Sequence, residues 1–437
     1  MSDGEATYDD LASKVAGRVC EGDAGEVLAE LPANVVHTVV TSPPYFGLRD
    51  YGVEGQLGLE DSLDEYISEL VAVFREVRRV LRPDGSLWLN LGDSFATRSG
   101  DRFDRKEKLL VPHRVAIALQ ADGWLVRQDA VWQKSDPMPE SVKDRLAETK
   151  EAFFHLVPSP DYYFDLDPIR EEHAESSLER ATNSREAARE YDHYPGRKSE
   201  SRAHNFDTLL HPGGKNPGDV LEVATESFRD GHFAVMPEAL AKTPILASAP
   251  PRVCPACGAA HERITEDVPL WEVDNPSRPQ LQQAQELAAD AGLTEAHLES
   301  VRAVGCSDPG TKTAERQAQS GGNTLDVDQL AAEAKDALGS YFREFVGARS
   351  EHIGWSPTCD CGEDGSVPGL VLDPFAGAGT TLLAAKEHGR RCAGIELNPE
   401  YVTLAEKRVG FTVSEPSALR EAEQDGLEAF TDGGGGQ

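Results

Sequence analysis

Residues 370–396 read LVLDPFAGAGTTLLAAKEHGRRCAGIE, and the order of patterns within them decides the fold. Residues 370–373 are a short apolar run ending in a carboxylate, as in a buried strand. A Gly-Ala-Gly turn follows, residues 382–388 form a helix pattern, and residues 392–396 form a second strand that again ends in an acid. Strand, glycine turn, helix and strand bring a ligand up to backbone N–H groups at a helix N-terminus in a parallel α/β sheet. The loop lacks the Gly-Lys-Ser/Thr ending of a phosphate cradle, which argues against an ATPase. Glu396, at the tip of the neighbouring strand, can accept hydrogen bonds from both hydroxyls of a ribose. Loop and acid together describe a pocket for a nucleoside without a polyphosphate, and S-adenosylmethionine is the candidate.

The same alternation recurs upstream. Residues 35–41 are a β-branched run, 62–81 an amphipathic helix, 82–85 (Arg-Pro-Asp-Gly) a turn, 86–91 a strand, 111–122 a helix and 125–132 a strand. Such a chain folds as a mostly parallel sheet covered by helices. The run at 35–41 stops at Ser42-Pro43-Pro44-Tyr45, two prolines flanked by a hydroxyl and an aromatic ring.

TSPPY near the start and DPFAGAGTT near the end, in that order, resemble the amino-methyltransferases of DNA in the circularly permuted β class. Glu21-Gly22-Asp23, WQKSDPMPESVKDR at 132–145 and GHFAVMPEAL at 231–240 carry the likeness further, over most of 19–250 and 366–410. It implies a Rossmann-like methyltransferase fold with a seven-stranded sheet and helices on both faces. It also implies transfer of a methyl group from S-adenosylmethionine to an amino group of a flipped base in double-stranded DNA. Asp23 is then expected at the adenine of the cofactor and Glu396 at its ribose. Asp373, with Phe375, Ala376, Gly377 and Gly379, is expected to enclose the methionine part, Thr380 and Thr381 to hold the carboxylate, and His232 and Phe233 to close over it.

The chemistry of amino methylation explains the proline cluster. The exocyclic nitrogen has delocalised its lone pair, so acceptors must pull its N–H bonds out of the ring plane. The Ser42 hydroxyl and the Pro43 carbonyl can do this, held rigid because Pro43 and Pro44 fix their own dihedrals and restrict the residues before them. Tyr45 offers a flat face to the flipped base. By the resemblance, Ser-Pro-Pro-Tyr goes with cytosine-N4, whereas an acid in the first position goes with adenine-N6, the rival reading. No Pro-Cys dipeptide occurs, which removes the covalent cytosine-C5 route. A rival from another class is a zinc-containing nucleic-acid-binding regulator with an inactive core; the intact acceptors and glycine loop oppose it.

By the resemblance, 1–18 is an extension, 19–169 the catalytic half and 170–218, a polar stretch, the target-recognition region. In that region Arg185, Arg197, Lys198, Arg202, Asn205 and Lys215 are candidates for contacts with DNA. The resemblance likewise implies that 219–250 is the closing segment and 367–412 the cofactor half, with 251–366 an insert that departs from the family and 413–437 a Gly-rich acidic tail. Cys254 and Cys257 open the insert and Cys359 and Cys361 close it, soft ligands enough for a structural zinc that would fasten its two ends.

Close cysteine pairs fit a metal site rather than a secreted disulfide framework, and neither a leader pattern nor a long apolar run is visible. The expectation is a cytoplasmic protein with no membrane partner, working with or without a cognate restriction endonuclease. Formal charge is −33, from 76 acidic and 43 basic residues spread along the chain. Either nucleic acid is not the partner, or the protein works in molar salt, where the Debye length falls to about 3 Å. The motifs favour the second, and Arg in excess of Lys with dispersed Asp and Glu is a halophile composition.

Overall fold

Thr7 starts the first helix with a capping box, its hydroxyl accepting the Asp10 N–H while the Asp10 carboxylate takes the N–H of Thr7. The computed structural model describes residues 6–50, 52–100, 102–174, 214–227, 234–273, 279–304, 325–346, 348–363 and 365–411. In chain order the elements are α1 (Tyr8–Val15), β1 (Val19–Glu21), α2 (Ala24–Glu30), β2 (Val36–Thr41) and α3 (Leu63–Val80). Next come β3 (Leu81–Leu91), α4 (Val111–Ala121), β4 (Leu125–Lys134), β5 (Lys150–Val157), β6 (Val220–Val223), β7 (Glu226–Ser227), β8 (Ala234–Val235) and α5 (Glu238–Ser248). The insert contributes β9 (Glu262–Pro269), α6 (Pro279–Asp290), α7 (Glu295–Val304), α8 (Leu325–Leu338) and β10 (Ala348–Ser356). The last elements are β11 (Leu370–Asp373), α9 (Thr380–Glu387), β12 (Arg391–Glu396) and α10 (Pro399–Val409).

The main sheet has eight strands in the order β1-β12-β11-β2-β3-β5-β4-β6, not the expected seven. The additional strand is the short β6, which pairs parallel to β4 through Val131↔Val220 to Lys134↔Val223. β11 and β12, last in the chain, lie between β1 and β2, all mutually parallel. Only the two pairings made by β5 are antiparallel. The expected turn at 82–85 is instead an irregularity inside β3. Val36 pairs with Leu81 but Thr38 with Ser86, so the Arg-Pro-Asp-Gly stretch bulges from the strand.

Period-two alternation separates two cores. Val39, Leu87, Leu89, Leu370, Leu372 and Ile395 face one side with Leu28, Leu70, Phe74 and Leu119 from α2, α3 and α4. Val40, Trp88, Val371 and Cys392 face the other with Leu240, Ile245, Leu382 and Ala405 from α5, α9 and α10. Burying each large side chain contributes about 1.5–3 kcal/mol, and because β2 is buried on both faces its register is pinned by its polar contacts: a one-residue slip would turn Thr38 from Ser248 and Thr41 from Asp373.

By its contacts the chain divides into two compact units. Met1–Ile169, Asn216–His261 and Pro357–Gln437 make the first; Arg170–Lys215 and Glu262–Ser356 make the second. The second has its own core, in which Leu281, Ala284, Leu298, Val301, Leu338 and Phe345 pack together, and β9 pairs antiparallel with β10. Among the described residues no helix is long and apolar enough to cross a membrane.

Candidate active site

Parallel strands β1, β12, β11 and β2 end at one edge of the sheet, and polar residues stand at their tips. Asp373, at the end of β11, accepts a hydrogen bond from the Thr41 hydroxyl at the end of β2 (2.6 Å) and from the Phe375 N–H (3.0 Å). It is buried, and burial pushes its carboxyl up to about 6, against the lowering effect of those hydrogen bonds. The glycine loop is tied to β12, with the Ala376 N–H on the Ile395 carbonyl (2.9 Å) and the Gly377 N–H on Glu396 Oε2 (2.8 Å). Glu396 Oε1 accepts the Asn398 N–H at 2.9 Å. Burial raises the Glu396 carboxyl, and these backbone N–H groups oppose the rise.

Asp23 caps α2, one oxygen accepting the N–H groups of Gly25 (2.8 Å) and Glu26 (3.0 Å). Asp23, Pro44, Phe375, Gly377 and Glu396 line one cavity, together with Gly22, Val53, Gln56, Leu57, Asn398 and Tyr401. Apart from Gly22, quoted above beside Asp23, the sequence reading had not singled out this second group. The cavity has carboxylates on two sides and apolar walls between them, suited to a nucleoside whose ribose and base edge donate hydrogen bonds.

Thr380 and Thr381 are not on that lining. Thr381 is fully buried and its hydroxyl donates to the Val40 carbonyl (3.2 Å), while the Thr380 hydroxyl accepts from Arg408 (2.8 Å). Both hydroxyls are thus engaged within the fold. His232 and Phe233 lie outside the described residues, as do Arg185, Arg197, Lys198, Arg202 and Asn205. Lys215 is described, and its ammonium pairs with Glu171 at 2.9 Å.

Next to the cavity, β2 delivers the proline cluster. Ser42 Oγ lies 3.1 Å from the Tyr45 hydroxyl and 3.3 Å from Asn90 Oδ1, and the Tyr45 hydroxyl is 3.0 Å from Asn90 Oδ1 and 2.7 Å from Glu151 Oε2. Lys134 donates to the other Glu151 oxygen at 2.6 Å, and Asn90 Nδ2 donates to the Ala152 carbonyl at 3.2 Å. Burial and the negative charge of Glu151 raise the Tyr45 phenol well above its ordinary range, so it stays protonated. Tyr66 donates to the Pro44 carbonyl (2.8 Å), and among the described residues the Pro43 carbonyl has no such partner. Asn90, Glu151 and Lys134 escaped the sequence reading, since they sit on β3, β5 and β4 and meet Ser42 and Tyr45 only in space. For Asn90 the one signal was a polar residue interrupting an apolar strand near its end; Glu151 and Lys134 lie among other polar residues and gave none.

Residues 36–254 and 366–407 match the N6_N4_Mtase family, described as DNA methylase. The chain belongs to this family. As a DNA methylase it is 37% identical over 254 residues to the Type II methyltransferase M.Cfr9I of Citrobacter freundii, covering 53% of this chain and 72% of that one. It is 51% identical over 164 residues to the Type II methyltransferase M.SfiI of Streptomyces fimbriatus, covering 36% of this chain but only 39% of that relative's length. Among solved structures, this DNA methylase is similar to the PvuII DNA methyltransferase (cytosine-N4-specific), at 13% identity and a TM-score of 0.40, covering 95% of each chain.

Proposed function

We propose that this DNA methylase transfers a methyl group from S-adenosylmethionine to the exocyclic N4 of cytosine in duplex DNA. The observation that carries the reading is the junction of two half-sites: the Thr41–Asp373 hydrogen bond of 2.6 Å joins the strand bearing Ser42-Pro43-Pro44-Tyr45 to the strand opening the glycine loop. Pro44 belongs to the cluster and also lines the cavity beside Phe375, Gly377 and Glu396.

The donor, when bound, supplies a sulfonium carbon open to in-line attack. The lone pairs of Glu396 not taken by the Gly377 and Asn398 N–H groups are free for ribose hydroxyls, and the second oxygen of Asp23 for a donor on the base. On the acceptor side Ser42 Oγ and the Pro43 carbonyl receive the N–H bonds of the target amine and turn its lone pair out of the ring plane. Tyr45 stacks on the extruded base. Positioning provides most of the acceleration, because in-line reaction rewards near-attack geometry. Serine in the first position of the motif, rather than an acid, favours cytosine over adenine by the family likeness stated above.

Residues 170–218 are assigned to target recognition, and a cognate restriction endonuclease and a cytoplasmic location complete the proposal. The test is to incubate the protein with duplex DNA and S-adenosylmethionine in high salt, digest the DNA to nucleosides and weigh the product. N4-methylcytosine is expected; methyladenine alone would transfer the reading to the adenine amino group, and no methylated nucleoside would leave the regulator.

A further inference from the structure

Cys254, Cys257, Cys359 and Cys361 meet in the first compact unit although the whole insert separates the two pairs. Their sulfur atoms all lie within 4.8 Å of one another, and all four are free thiols. A tetrahedral zinc thiolate, with Zn–S of about 2.3 Å, needs sulfurs about 3.8 Å apart, which this cluster meets with small adjustment. We propose that the four cysteines hold one zinc ion, and that this ion clamps the edge of the catalytic sheet opposite the active site.

The role follows from the backbone between the first two thiols and just after them. Four successive carbonyls of this knuckle each receive a donor from the sheet unit. Pro255 O accepts the Asp9 N–H and Ala256 O the Tyr8 N–H, both at 2.9 Å. Cys257 O accepts Arg82 Nη1 at 2.8 Å, and Gly258 O accepts His37 Nε2 at 2.9 Å. Tyr8 and Asp9 begin α1, so the knuckle satisfies two of the N–H groups that a helix start leaves without an internal partner. Because Nε2 of His37 carries the proton, Nδ1 is the acceptor that takes the Leu370 N–H at 3.2 Å, and one imidazole joins the knuckle, β2 and β11. Burial holds His37 well below its ordinary range, so the ring is neutral and this pattern is fixed.

Space around the knuckle is equally committed. Gly258 has φ +71°, and a β-carbon there would lie 2.7 Å from both Arg82 Nη1 and the Tyr8 ring. The turn itself is closed by the Gly258 N–H on the Cys254 carbonyl (2.8 Å) and the Cys254 N–H on the Ala259 carbonyl (2.9 Å), and the metal would tie it to the second cysteine pair, so that its four outward carbonyls keep their aim. His37 lies near the start of β2 and Ser42 just past its end, about 16 Å away along the strand. The ion therefore serves the fold and not the transfer, and the proposal stands whichever base is methylated.

The full chain, purified in high salt with reductant and no added metal, is analysed for metal by mass spectrometry and for thiols after denaturation. Roughly one zinc per chain is expected; absence of metal, or oxidation of the four thiols to two disulfides, would overturn the site. Cys361→Ala should lose the zinc, whereas Cys361→His, which supplies another zinc ligand, should keep it. The clamp is read by hydrogen exchange on the wild-type chain before and after stripping with a chelator. Amides of 8–15 and the start of β2 should lose protection while α7 in the insert keeps its own. Unchanged protection at 8–15 after complete removal of the metal would overturn the clamp.

Discussion

Glu151 receives two hydrogen bonds at two different oxygens, from the Tyr45 phenol and the Lys134 ammonium, and this sets the direction of every proton near Ser42. A phenol has one hydrogen. Given to a carboxylate, it leaves the Tyr45 oxygen an acceptor, and the Ser42 hydrogen then points to that oxygen or to Asn90 Oδ1. Ser42 is left with lone pairs facing outward, the state an acceptor for an amine must have. Glu151→Gln breaks the pattern, because an amide has only one acceptor oxygen for two donors. The expected outcome is a fall in kcat of roughly ten- to a hundredfold, the penalty of imperfect positioning, with S-adenosylmethionine Kd unchanged; single-turnover kinetics and calorimetry would check it, and an unaltered kcat would remove Glu151 from the ordering. Asp373 carries a pH dependence of known sign. Its carboxyl ordinarily titrates at 3.8 and here at about 6, so the folded state holds the proton more tightly than the unfolded state. The stability it contributes is complete below 3.8 and is lost as pH rises through about 6, up to about 3 kcal/mol at 1.4 kcal/mol per unit. Asp373→Asn, which keeps an acceptor for Thr41, should therefore gain Tm relative to the parent on going from pH 4 to pH 7, as thermal melts at the two pH values would show. Ser42 and Tyr45 were legible in the sequence because their motif is contiguous. Asn90 and Glu151 were not, since they lie 48 and 106 residues away and only the sheet order brings them near.

β2 and α3 were legible as elements to within a residue, for physical reasons that differ. β2 is apolar and β-branched on both faces and stops where proline removes a ladder donor. α3 begins at Ser62 because its hydroxyl accepts the Glu65 N–H and the Glu65 carboxylate accepts the N–H of Ser62. β5 was missed. Its sequence KEAFFHLV lacks clean alternation, although Pro158-Ser159-Pro160-Asp161 marks its end, and it is a strand because β3 and β4 flank it on both sides. The bulge at 82–85 read as a full turn because Pro-Asp-Gly is turn chemistry in isolation; the strand resumes because residues 86–91 pair with β2 and β5. Where β3 ends, Gly92 packs against the Tyr45 ring, and a β-carbon there would come within 2.5 Å of the ring edge. Gly92→Ala should displace the ring, costing about 1–3 kcal/mol as overpacking does. Chemical denaturation should show that loss, and base flipping, followed with a fluorescent base analogue, should weaken while cofactor affinity is retained. Retained flipping would mean that the Tyr45 ring does not hold the base.

At the scale of the whole molecule, a net charge of −33 has to coexist with a polyanionic substrate. Ordinary DNA-binding proteins neutralise phosphates with Lys and Arg, and lose roughly 10³–10⁵ in affinity between about 50 and 200 mM salt. Here the acidic excess repels both itself and the duplex over about 10 Å at 0.1 M salt, but over only about 3 Å at 1 M. Two opposed terms then compete as salt rises: local phosphate contacts weaken through counterion release, while long-range repulsion between like-charged surfaces collapses. With 76 acidic residues against 43 basic ones the second term has the larger number of charges behind it. Buried parts of the site, Asp373 above all, are shielded from bulk ions and should change little. The expected outcome is that Tm and the initial rate of methyl transfer to duplex DNA both rise as KCl goes from about 0.1 M to about 1 M and beyond, the reverse of the usual slope. A rate that falls steadily over that range while Tm holds would mean that the acidic surface is not an adaptation to brine, and that DNA reaches Ser42 by a basic path strong enough to prevail over the net charge.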